Sequence, residues 1–176
     1  MKMRLFLIFL VTSCAIYSCS SLDDSKDKYS FYNSANNSES DTLLFLKNGG
    51  DVLSLTLPKS ILTSETTFQV RENFGDVELY IHPGFHVYIS KENTELSEIK
   101  SELQSDGFFS RKFIDESEDE LFYQSTLPDG TKIGFNWVKI FKTSGYRVIV
   151  RSDPQGDYSK QDVHTMQKHM NTLNIL

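Results

Sequence analysis

The chain has 176 residues, with 18 Lys and Arg against 24 Asp and Glu, a formal net charge of −6 at pH 7. An acidic chain without a basic run is a poor nucleic-acid binder, because contacts to phosphates supply most of that affinity. The same balance argues against lying flat on an anionic membrane surface.

Residues 1 to 18 read as a secretory signal. Lys2 and Arg4 give a short positive start, and an apolar run follows from Leu5 to Val11, thinning towards Tyr17. A spanning helix needs about 20 apolar residues. A basic start, a shorter apolar run and small residues mark a leader that is set aside from fold reasoning.

The leader ends in Ala15-Ile16-Tyr17-Ser18-Cys19-Ser20-Ser21. This resembles the lipobox of bacterial lipoproteins, with an apolar residue three before the cysteine (Ile16) and a small one directly before it (Ser18). Tyr17 departs from the small residue usual between them. Cys14, preceded by Val11-Thr12-Ser13, is a rival with a shorter apolar run; Cys19 is the expected lipidation site. The following Ser20-Ser21-Leu22-Asp23-Asp24-Ser25-Lys26-Asp27 is similar to the acidic start of mature lipoproteins in the Bacteroidota. The resemblance implies diacylglycerol and an N-acyl chain (palmitate or similar) on Cys19. It also implies a cell-envelope address at the outer membrane, with export that can reach the cell surface. At about 0.8 kcal/mol per buried methylene, several acyl chains make an essentially permanent anchor. The alternative is cleavage to a soluble secreted protein with incidental thiols.

Cys14 and Cys19 are the only cysteines. A domain downstream of them has no disulfide, no cysteine-ligated metal and no cysteine nucleophile. Loss of residues 1 to 18 removes Lys2 and Arg4 but no acid, leaving 16 basic and 24 acidic residues and a net charge of −8.

Residues 19 to 40 are rich in Ser, Asp, Asn and Lys and are expected to form a flexible polar tether. Residues 41 to 176, about 135 in number, suffice for one domain with a core. Leu43-Leu44-Phe45-Leu46 is apolar and Asn48-Gly49-Gly50-Asp51 marks a turn. Val52, Leu53, Leu55 and Leu57 predict a strand that Pro58 ends. Phe68 to Arg71 and Val77 to Ile81 predict strands around Asn73-Phe74-Gly75-Asp76. Pro83-Gly84 is a further turn signal, and Phe85 to Ser90 alternates as a strand.

A helix is expected next, with Leu96, Ile99 and Leu103 at helical spacing, Asn93 or Thr94 as its cap, and Gly107 as a left-handed stop. Strands follow at Phe108 to Ile114, Leu121 to Leu127, Ile133 to Phe141 and Tyr146 to Arg151. In the last, Tyr146, Val148 and Val150 face one way and Arg147 and Arg151 the other. Ser159 and Asp162 resemble a capping box, and Val163, Met166, Met170 and Leu173 predict the apolar stripe of a closing helix.

The expected fold is α+β: one mostly antiparallel β-sheet with two helices packed on it. The order of strand pair, helix, antiparallel strands and terminal helix, with Leu55-Thr56-Leu57-Pro58 as an opening strand that runs into a proline, resembles the PsbP-like family. That family includes small bacterial lipoproteins, and the resemblance implies an α/β/α sandwich over residues 50 to 176.

Candidate chemistry is sparse. His82-Pro83-Gly84-Phe85-His86 puts two imidazoles either side of a tight turn, a possible metal pair lacking an identifiable third ligand. The bland reading is a hairpin with two surface histidines. Asp115, Glu116, Glu118, Asp119 and Glu120 crowd one turn. Without a glycine they fit no calcium loop, but they offer a docking surface for a basic partner. His164 and His169 lie five apart on the last helix and are expected at its surface. Trp137, Phe135, Phe141 and Tyr146 are expected in the core.

With no catalytic signature and no cofactor motif, the leading expectation is a non-enzymatic envelope lipoprotein. It would be anchored in the membrane through its lipid and bind an envelope protein partner, as an assembly component or an antitoxin-like shield. Alternatives are a small-ligand or metal-binding lipoprotein using His82 and His86, and a hydrolase whose residues are scattered.

Overall fold

The computed structural model describes residues 29–32, 42–48, 51–62, 64, 66–71 and 76–175. In chain order the elements are β1 (Tyr29–Tyr32), β2 (Thr42–Asn48), β3 (Asp51–Leu57), a short 3-10 turn at Lys59–Ile61, β4 (Thr67–Arg71), β5 (Asp76–His82), β6 (Phe85–Glu92), α1 (Leu96–Ser105), β7 (Ser110–Glu116), β8 (Glu120–Thr126), β9 (Lys132–Lys142), β10 (Arg147–Ser152), α2 (Lys160–Met170) and β11 (Asn174–Ile175). Among the described residues, no helix is long and apolar enough to cross a membrane.

The protein is α+β, with a seven-stranded sheet in the order β4-β5-β6-β10-β9-β8-β7. A second sheet, not expected from the sequence, has the order β1-β2-β3-β11. All the strand pairings are antiparallel. β1 falls inside the stretch expected to be a tether.

Strand alternation decides which face each side chain joins. On one face of the large sheet, Val77, Leu79 and Ile81 of β5, Phe85, Val87 and Ile89 of β6, Phe122 of β8, Trp137 of β9, and Val148 and Val150 of β10 are buried together. They meet Leu53, Leu55 and Leu57 of β3 and Val163, Met166 and Met170 of α2. The intervening residues, Leu121 and Tyr123, Val138 and Ile140, and Ile149, point to the other face, where Leu96 and Ile99 of α1 cover them. The two helices therefore lie on opposite faces, an α/β/α arrangement in which the small sheet shares a layer with α2. Phe135, Phe141 and Tyr146 pack at the edge of the larger core, while Trp137 is wholly buried and donates its Nε1–H to Glu120 Oε1 at 2.6 Å.

The caps explain where the helices start and stop. Ser159 and Asp162 form the expected capping box on α2: Ser159 Oγ accepts from Asp162 N at 3.2 Å, and Ser159 N donates to Asp162 Oδ2 at 2.9 Å. On α1 the box is made by Glu95 and Glu98 instead. Asn93 is engaged by Arg147 Nη1 at 2.8 Å, and Thr94 donates to Glu92 at 3.4 Å. At the other end, Gly107 does not take a left-handed conformation; only Gly130 and Gly134 have positive φ among the described residues. Asp106 closes the helix, its Oδ1 accepting from the Phe108 and Phe109 amides at 2.9 and 3.3 Å.

Past α2, Thr172 Oγ1 donates to Thr56 O at 2.9 Å and accepts from Thr56 N at 3.2 Å, and β11 pairs with β3. The chain after the closing helix is thereby tied to the second sheet.

Candidate functional site

α1 covers only part of its face of the large sheet. Beyond it, alternation and register bring together Glu78 and Tyr80 of β5, His86, Tyr88 and Glu92 of β6, and Arg151 of β10. Tyr80 lies opposite His86, Glu78 opposite Tyr88, and Tyr88 opposite Arg151. These are the outward partners of the core positions Val77, Leu79, Val87 and Val150. Of these, Arg151 also borders α1.

His86 is the centre of this patch and is 16% exposed. Its Nε2 lies 2.7 Å from Glu78 Oε1, and its Nδ1 lies 3.3 Å from Asp153 Oδ2. The Tyr80 ring meets it edge-on at 5.4 Å, and the Tyr88 ring lies at 5.0 Å. Asp153 is held in place by its own amide, which donates to His86 O at 3.0 Å. A neutral imidazole has one N–H and can donate to one of these carboxylates; an imidazolium donates to both. Behind the patch sits Tyr158, whose phenol is pushed well above its ordinary 10.0, first by burial and then by Asp153, Tyr88, Asp162 and Tyr80.

A cleft of about 180 Å³ adjoins the patch, between the second half of α1 and the sheet. Ile99, Glu102, Leu103 and Asp106 line it from the helix side, and Tyr123, Val138, Arg151, Ser152 and Pro154 from the other. Arg151 Nη2 donates to Glu92 Oε1 at 2.7 Å. Burial pushes the Tyr123 phenol up, while Arg111 and Arg151 beside it pull the other way. Arg111 Nη2 donates to Asp106 Oδ2 at 2.8 Å, and its guanidinium lies 4.7 Å from the centre of the Phe109 ring. The Arg111 side chain is 9% exposed, and its Nε and Nη1 are buried with no hydrogen-bond partner among the described residues. The Phe108 amide, then the Phe109 amide and Arg111, hold the Asp106 carboxyl below the usual carboxylate range.

The structure gives His82 and His86 different partners. A register shift lies between Tyr80 and His82, which falls opposite Phe85. His82 Nδ1 accepts from Gly84 N at 3.1 Å, and its ring sits 6.3 Å from buried Phe85, while His86 faces Glu78 and Asp153. A Cβ at Gly84 would press on the Asp162 carboxylate and the His82 ring, so either side chain would have to shift. Among the described residues, no group of three or more His, Cys, Asp or Glu is arranged to hold a metal ion.

In the acidic turn three of the five carboxylates lie against lysines and the other two accept local hydrogen bonds. Glu116 pairs with Lys100 at 2.6 Å and Glu118 with Lys142 at 2.5 Å. Glu120 accepts from Trp137 and from Gln167, the latter at 2.5 Å, with Lys139 at 3.4 Å. Asp119 accepts from Ser117 Oγ at 2.8 Å, and Asp115 accepts the Glu116 amide at 2.9 Å. The turn's charge is thus largely spent within the molecule. His164 is exposed and bonds Gln167, but His169 is buried, its ring 6.2 Å from Phe85. It follows Met166 by three residues and so falls beside the apolar stripe. Cys14 and Cys19 lie outside the described residues.

Sequence reasoning found His86 but not Glu78, Asp153, Tyr80 or Tyr88. The available signal was the polar half of the alternation in β5 and β6. Compared with protein-family models, with curated proteins and with solved structures, the chain matches none.

Proposed function

We propose that this chain is a lipid-anchored envelope protein, held at the outer membrane through Cys19, whose domain binds another envelope protein through the face around His86. The observation that supports the binding surface is the half-buried aromatic and acidic patch left beside α1, formed by Tyr80, Tyr88 and His86 with Glu78, Glu92 and Asp153. Tyrosines give large contact area at low entropic cost and are enriched where interfaces bury their core. Glu78 and Asp153 engage His86 and Glu92 engages Arg151, so the two tyrosine rings offer the contact surface, on which an Arg or Lys of the partner can stack. The net charge of −8 on the chain without its leader steers such a partner inward. The anchor is supported by the leader alone.

Two experiments test the reading. A photo-reactive phenylalanine in place of Tyr80 is expected to give a discrete protein adduct in intact cells, whereas the same group in place of exposed Lys132 gives none. Adducts from position 132 alone, or from neither position, overturn the docking face. Cys19→Ala is expected to abolish acyl labelling and release the protein from membranes. Labelling that persists in Cys19→Ala and disappears in Cys14→Ala moves the anchor to Cys14.

A further inference from the structure

The cleft beneath α1 is built differently from the patch beside it. It gathers charges of both signs around an apolar wall within about 180 Å³. Sites for drug-sized ligands run from about 300 Å³ upward, so a fitting ligand is small. On the helix side Glu102 has no ion-pair partner among the described residues. On the sheet side Arg151 uses Nη2 on Glu92, and Tyr123 lines the cleft with it.

Arg111 lies behind the lining, bonded to the cleft residue Asp106. Its side chain is more than nine-tenths buried, one carboxylate contact serves its Nη2, and Nε and Nη1 remain without partners. Buried unsatisfied donors are rare in native proteins and call for an explanation. Asp106, the carboxylate that faces Arg111, also accepts two backbone amides, so its acceptor capacity is shared.

We propose that this cleft binds a small zwitterion of the α-amino-acid class with an aliphatic side chain. The carboxylate goes to Arg151 and the Tyr123 hydroxyl. The ammonium goes to Glu102, and the side chain lies on Ile99 and Leu103. A simple anion leaves Glu102 unpaired beside it; a simple cation meets Arg151. A ligand carrying both charges engages Glu102 and the part of Arg151 that Glu92 does not occupy. The inference is independent of protein docking at the His86 face.

The test is equilibrium dialysis of radiolabelled leucine against the full chain in mild detergent. Saturable binding of one leucine per chain is expected. Glu102→Gln changes an exposed helix position and is expected to leave the melting temperature unchanged while weakening binding about tenfold or more. Arg151→Gln is expected to weaken it at least as much. Isovalerate lacks the ammonium and isopentylamine lacks the carboxylate; each is expected to compete at least about tenfold less well than unlabelled leucine. Absence of saturable binding overturns the proposal, as does full affinity in Glu102→Gln. Isovalerate competing as well as leucine also overturns it, because the cleft then recognises an anion alone.

Discussion

The two halves of one face of the large sheet differ in kind. Under α1 the outward side chains are Leu121, Tyr123, Val138, Ile140 and Ile149, closed off by Leu96 and Ile99. A strand or two away, on β5, β6 and the end of β10, the outward side chains are Glu78, Tyr80, His86, Tyr88 and Arg151. The sheet is continuous across both halves, and the opposite face of β5, β6 and β10 carries Val77, Leu79, Ile81, Phe85, Val87, Ile89, Val148 and Val150. The lesson is that the helix and the side chains beneath it are matched: where α1 ends, apolar residues give way to aromatic, acidic and basic ones that tolerate water on one side.

Substitutions can sharpen or break this contrast. The largest effect is expected under the helix. Ile149→Ala removes a wholly buried side chain and should cost about 2–5 kcal/mol in urea denaturation; a loss well below that range would mean that α1 closes over the gap. On the open half, His86→Ala should cost about 1–3 kcal/mol, because Glu78 and Asp153 lose their shared donor. The penalty should shrink in a Glu78→Gln background. An equal penalty in both backgrounds would show that the ring acts by packing and not by its charge contacts.

An effect of alkali comes next. Tyr123 and Tyr158 hold their protons beyond the ordinary value of 10.0, burial being the main cause in both. The folded state therefore binds these protons more tightly than the unfolded one. Their contribution is complete below pH 10 and is lost as the pH rises above it. Melting temperatures followed upward through pH 10 should fall, and Tyr158→Phe should flatten that fall; parallel curves would remove Tyr158 from the account. The smallest effect is expected in the acidic turn, where Glu118→Gln should leave the denaturation midpoint unchanged, since exposed pairs contribute little.

The strands of the large sheet were legible because alternation writes burial directly into sequence: Val77, Leu79 and Ile81 on β5 and Val148 and Val150 on β10. The apolar stripe and capping box of α2 were legible for the same reason. β1 was not, since Tyr29–Tyr32 sits in a polar stretch and owes its pairing to β2, and the two residues of β11 carry no period at all. The site was legible only at His86. Glu78 reaches it through hairpin register, but Asp153 does so because β10, separated from β6 by a helix and three strands, returns to pair with it. No local pattern encodes that return. The lysines that pair with the acidic turn were not legible, because Lys100 and Lys142 belong to other elements.

Gly156 ties the interior to the surface. The Tyr158 ring, buried in the main core, occupies the space that a side chain at 156 would fill, and the Gly156 amide donates to Asp153 O at 3.1 Å. The 153–158 segment thus works like a lever with one arm in the core and the other, Asp153, at the imidazole. A change in core packing around Tyr158 has a mechanical route to the outer patch, and the smallest addition that would move the lever is one methyl group at position 156.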